Sequence, residues 1–151
     1  MHVAVFIFAL LNRPFDFRAA DNPALMGILR DLGARGANKA GDMEVAAFIT
    51  QNTDGTLSCV LWPHTASIRA AHYQGAIPAG TVALAHTHPQ QLERPSSGDI
   101  AQAKRIGLPI YVISRWYLYV IDPSSGASIA LITQKNWMRS PQPAEVHVVR
   151  N

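Results

Sequence analysis

Asn22-Pro23 opens a stretch in which Leu25, Ile28, Leu29 and Leu32 recur on one helical face, with Asn as N-cap and Pro at the first helical position. Gly33 and Gly36 read as the end of that helix. From there to Ile132 the chain is a series of short apolar runs cut by turn signals, broken by one further helical stretch. The runs predict strands over 43–50 and 57–62, joined by the hairpin signal Asn52-Thr53-Asp54-Gly55 after a Gly41-Asp42 turn. A short strand is expected at 66–71, and a longer one at 81–88 after Pro78-Ala79-Gly80. A polar loop over 89–95 follows. Ser96 and Ser97 are N-cap candidates for a helix carrying Ile100, Ala103 and Ile106, closed by Gly107 and Pro109. Strands at 110–114, 117–121 and 128–132 complete the series, the last after Pro123-Ser124-Ser125-Gly126.

Such an order predicts an α/β (α+β) fold: a mixed sheet of about six strands flanked by two main helices. At 151 residues the chain fits a single domain spanning 1–151. Residues 133–151, with Pro141 and Pro143, are expected to form a surface tail or docking arm.

Composition excludes several function classes. The chain is 48% hydrophobic and 15% charged, which is too apolar for a disordered segment. Its net charge is +3, and ten of its thirteen basic residues are Arg, scattered singly without a run. That pattern gives no nucleic-acid footprint. Cys59 is the only cysteine, so neither an intrachain disulfide nor a thiolate zinc cluster can form. The nine-residue apolar run at 3–11 is far shorter than the ~20 residues of a membrane helix. No Lys or Arg precedes it, and Arg18 sits two positions before the small residue Ala20, a poor context for signal cleavage. A buried first element and a cytoplasmic location are the expectation.

Chemistry concentrates around two histidines. His86 and His88 lie two apart in the expected strand 81–88, so both imidazoles leave the same face of the sheet. Asp99 falls eleven residues after His88, in the first turn of the second helix, where the helix dipole tolerates a carboxylate. Two imidazoles and a carboxylate supply three ligands and leave a fourth position for water, the coordination of a catalytic zinc. Ser96, three residues before Asp99, either caps the helix or aims its hydroxyl at a developing oxyanion; both roles hold if Ser97 supplies the cap. Glu44 opens the apolar run that continues to Ile49. An acid there is either solvated at the sheet's edge or held for a purpose.

His86-Thr87-His88, seven residues, then Ser96-Ser97-Gly98-Asp99, with an upstream Glu at a strand start, resembles the motif of the JAMM (JAB1/MPN/Mov34) zinc metalloproteases. The likeness covers roughly residues 22–132 and is closest to the standalone bacterial JAB-domain branch. It implies a single MPN/JAB-like domain that hydrolyses a peptide or isopeptide bond with one Zn2+ per chain. Carried over, His86, His88 and Asp99 would bind the metal, Glu44 would be general base to a zinc-activated water, and Ser96 would stabilise the oxyanion. The resemblance also implies a protein or peptide partner, such as the C-terminal glycine of a ubiquitin-like or sulfur-carrier protein. Two rival readings stay open: a catalytically silent MPN-like binding module, and a toxin-type domain of a larger secreted system.

Other residues have plainer readings. Gln90, Gln91 and Arg94 lie in the loop between the ligands and are candidates for the rim of the site, Arg94 for a substrate carboxylate. His64 and His72 are read as partly exposed structural residues, His2 and His147 as solvated, and Cys59 as a small buried hydrophobe. Trp116, Tyr117 and Tyr119 are expected to pack in the core.

Overall fold

The computed structural model describes residues 14–38, 44–63, 73, 75–88, 94–134, 137, 138, 148 and 149. The expected first element at 3–11, the Gly41-Asp42 turn, the strand at 66–71, and His2, His64, His72 and His147 lie outside the described residues.

Helix α1 runs Pro23–Asn38. Asn22 caps it as expected: its Oδ1 accepts from the Leu25 amide at 3.2 Å and its carbonyl from Met26 at 2.9 Å. The helix does not stop at Gly33 or Gly36. Both are glycines because neighbours come close. A Cβ on Gly33 would collide with the Met138 side chain, and one on Gly36 would stand 2.8 Å from Thr87 Oγ1. Strands follow as β1 (Ala46–Gln51), β2 (Leu57–Leu61) and β3 (Thr81–Thr87). Then come α2 (Ser97–Ile106), β4 (Ile110–Ile113), β5 (Leu118–Ile121), β6 (Ser128–Ile132) and β7 (Val148–Val149).

The strands form one mixed sheet in the order β6-β5-β4-β3-β1-β2-β7. The β1–β2 hairpin closes through Asn52, whose amide donates to Thr56 at 2.8 Å, with Gly55 in the left-handed region at φ 85°. β1 then pairs antiparallel with β3, and β3 pairs parallel with β4. A parallel neighbour requires a crossover, and α2 supplies it. Among the described residues there are seven strands rather than about six, because Val148 and Val149 add a parallel pair to Cys59 and Val60 of β2.

Each face of the sheet carries one helix. Leu25, Ile28, Leu29 and Leu32 of α1 pack on Ala47, Ile49, Cys59, Ala85, Tyr111 and Ile113. Each such buried Leu contributes about 1.5–3 kcal/mol. Ala103 of α2, with Ile100 and Ile106, packs on Phe48, Leu84, Ile110, Val112 and Ile121 of the other face. The segment after Thr133 is not wholly superficial. Trp137 is 6% exposed within the α1-side core, and its Nε1 donates to the Ser114 carbonyl at 3.1 Å. Cys59 is buried as expected, and desolvation, with the Asp31 charge as a smaller cause, pushes its thiol up to about 12. It is no nucleophile at neutral pH. The N-terminal strap across the sheet is held by Arg18 Nη2, 2.6 Å from Asp122 Oδ2, and by the Tyr111 hydroxyl donating to the Phe17 carbonyl at 2.8 Å. Among the described residues no helix is long and apolar enough to cross a membrane.

Candidate metal centre

The crossover explains why a strand residue meets a helix residue eleven positions on. A helix returning from the end of β3 to a parallel β4 must begin near the carboxyl edge of β3, the edge where α/β sheets carry their sites. His86 alternates with Leu84, which faces α2, so the imidazole emerges on the α2 side. Strand β3 ends at Thr87, and His88 lies one residue past it, pinned by its amide donating to the Ile113 carbonyl of β4 at 2.8 Å.

Asp99 stands in the first turn of α2, oriented by Ser96. Ser96 is the N-cap in extended backbone (φ −83°, ψ 164°), and its hydroxyl oxygen accepts from the Asp99 amide at 3.2 Å. Asp99 Oδ2 reciprocates, accepting from the Ser96 amide and from its hydroxyl, each at 2.7 Å. This is a complete capping box. Ser97 is the first helical residue and does not cap, so of the two roles open to Ser96 the structure shows the capping one.

The three side chains converge. His86 Nε2 and His88 Nε2 are 3.0 Å apart, and they lie 3.2 Å from Asp99 Oδ1 and 3.3 Å from Asp99 Oδ2 respectively. Ligands about 2.0–2.1 Å from a tetrahedral zinc are separated by roughly 3.3 Å, so these spacings fit one ion. The donor chemistry agrees. Two imidazole nitrogens face each other at a distance where at most one can carry a proton, beside an acceptor-only carboxylate. Burial works against ionising Asp99, but its bonds to the His86 and His88 rings and to the Ser96 amide hold its carboxyl well below the usual carboxylate range. Among the described residues this is the one group of three such side chains able to hold a metal ion. The side chains of His86, His88 and Asp99 are 14%, 4% and 17% exposed, so the group is largely buried without being sealed from solvent.

Glu44 precedes β1 instead of opening it, since the strand starts at Ala46. Ala46 is the register partner of His86, and the Thr87 amide donates to the Val45 carbonyl at 2.9 Å. Glu44 directly precedes Val45, whose amide in turn donates to the Thr87 hydroxyl oxygen at 2.9 Å. Arg94 is described and exposed, whereas Gln90 and Gln91 lie outside the described residues.

Sequence reasoning missed an aromatic neighbour of the site. Trp62 donates its amide to Ala46 at 2.9 Å, and its ring packs with Phe48 (5.3 Å between centroids) and Tyr73 (5.3 Å). These three rings belong to the α2-side cluster, Phe48 on the strand next to β3 and Trp62 just past β2. Only the Trp62-Pro63 step hinted at them, since the contact joins three separate segments.

A family model described as prokaryotic homologs of the JAB domain matches residues 29–129, the whole stretch from within α1 to β6. No curated protein and no solved structure matches.

Proposed function

This chain belongs to the prokaryotic homologs of the JAB domain, and from that premise we propose that it is a zinc-dependent peptidase or isopeptidase acting on a protein or peptide. The observation that carries the reading is the convergence of His86, His88 and Asp99 at tetrahedral-edge spacing. A divalent ion held by His86, His88 and Asp99 would supply Lewis-acid polarisation of a carbonyl and would lower the pKa of water to about 7. Two imidazole donors and one carboxylate, three protein ligands in all, suit a catalytic zinc.

The chain's own residues do the remaining work. Glu44, the residue before the Thr87-bound Val45, takes a proton from the attacking water and returns it to the leaving nitrogen. His86 is fixed by the β3 backbone, His88 by its amide bond to the Ile113 carbonyl, and Asp99 by its cap, so the ligands need little reorganisation. The substrate class is a C-terminal tail ending in glycine, as in ubiquitin-like or sulfur-carrier proteins.

The protein as purified carries about one zinc per chain, measured by elemental analysis. It releases aminomethylcoumarin from a short peptide ending in two glycines. 1,10-Phenanthroline abolishes that activity and added zinc restores it. A metal-free protein that binds no zinc would end the reading.

Ser96 is more heavily committed than the sequence suggests, because its hydroxyl both accepts from the Asp99 amide and donates to the Asp99 carboxylate. Ser96→Ala is therefore expected to cost about 1 kcal/mol of unfolding free energy, read in urea titrations. It should also weaken zinc about 10–100-fold, since the hydroxyl orients a ligand. Competition with a chromophoric chelator measures this second effect. Unchanged zinc affinity with a large loss of turnover would instead assign Ser96 to the oxyanion.

A further inference from the structure

We propose that Thr87 is a positioning residue for Glu44, acting through the Val45 amide and locked in place by Gly36. The inference rests on Glu44 being the base of the reaction proposed above.

Thr87 lies between the two metal-ligand histidines, but strand alternation turns its side chain to the opposite, α1-facing side, where it is 5% exposed. A regular hydrogen-bonded antiparallel pair exchanges two amide–carbonyl bonds. Here the Thr87 amide donates to the Val45 carbonyl at 2.9 Å, but the Val45 amide donates to the Thr87 hydroxyl oxygen, also at 2.9 Å. The side chain thus takes the place of its own carbonyl. Strand β1 accordingly begins at Ala46, and the chain carrying Glu44 leaves the regular ladder at this bond.

The hydroxyl has little freedom to do otherwise. Gly36 of α1 lies directly on it: a Cβ there would come 2.8 Å from Thr87 Oγ1 and 3.0 Å from Thr87 Cβ and Cγ2. Real Cβ atoms are not found so close, so glycine at 36 is what allows the helix to seal the threonine rotamer. One side chain thereby joins three parts. Its backbone sets the histidines, its hydroxyl sets the residue after Glu44, and its methyl and hydroxyl rest on α1. The base and the ligands then keep a fixed relation although they come from different strands.

The test compares Thr87→Val, which keeps the shape and removes the acceptor, with Thr87→Ser, which keeps the acceptor. Gly36→Ala, which presses on an intact hydroxyl, provides an independent variant should Thr87→Val not fold. Each is loaded with zinc and measured by amide hydrogen exchange at Val45, by the 13C shift of the Glu44 carboxyl, and by hydrolysis of the diglycine coumarin peptide. Thr87→Val should speed Val45 exchange and move the Glu44 signal, with zinc stoichiometry unchanged. It should lower kcat about 10–100-fold, the size expected of a misplaced catalytic group, with KM within about twofold. Thr87→Ser should restore all three readings, and Gly36→Ala should shift them in the direction of Thr87→Val. A Glu44 signal that stays put in Thr87→Val while the Val45 amide is released overturns the inference. If the Glu44 signal moves but the wild type cleaves nothing, the positioning stands and the hydrolytic reading fails.

Discussion

Glu44→Gln should retain about one zinc per chain and lose hydrolysis by a factor of about 10²–10⁴, the usual worth of a general base. The substitution keeps the shape and removes one property, the capacity to take a proton. None of the three converging ligand atoms belongs to Glu44, so metal loading gives an internal control. Its place directly before Val45, which is bonded to the Thr87 that separates the two histidines, is what makes the prediction specific. An acid elsewhere at the rim, neutralised in the same way, would change rates through the field alone, by a few-fold at a screened surface. The kinetic signature should be a fall in kcat with little change in KM, because proton transfer belongs to the transition state and not to binding. An unchanged rate in a zinc-loaded Glu44→Gln protein would remove Glu44 from the chemistry and favour a domain that binds without cutting.

Local signals in the sequence were legible where the physics is local. Asn22-Pro23 caps α1, the Ser96–Asp99 box caps α2, and Gly107 ends α2 at φ 69° with its amide on the Ala103 carbonyl. Each needs only a few consecutive residues. The same holds for the two histidines, because an i, i+2 pair in a strand shares a face whatever surrounds it. What failed depended on partners far along the chain. Gly33 and Gly36 look like helix stops, yet α1 runs past both to Asn38, and Met138 and Thr87 occupy the space where their side chains would be. Trp137 looks like part of a tail, but its ring fills the α1-side core and its Nε1 reaches Ser114, 23 residues away. Thr87 is the instructive case. The spacing that puts its neighbours on the metal side puts its own hydroxyl on the other, where only the fold reveals a use.

Removing one ligand should be visible without any substrate. At a free zinc concentration about 100 times the dissociation constant, binding to the native state alone stabilises by about 2.7 kcal/mol. For a chain of this size that raises the melting temperature by roughly 5–10 °C. His86→Ala leaves two ligand side chains and should abolish the shift at the same zinc concentration, with near-zero retained metal after dialysis. Asp99→Asn separates the two duties of that residue. The amide oxygen still accepts from the Ser96 amide and hydroxyl, so the cap of α2 survives in large part, but the negative charge that draws the cation is gone. Its zinc-dependent shift should therefore shrink strongly while the metal-free melting temperature stays within a few degrees of wild type. Ser96→Ala should give the reverse: a lower metal-free melting temperature and a reduced but present zinc shift. A full shift persisting in both His86→Ala and Asp99→Asn would mean that the ion binds elsewhere. His86, His88 and Asp99 would then be an acid–imidazole cluster that holds the crossover together.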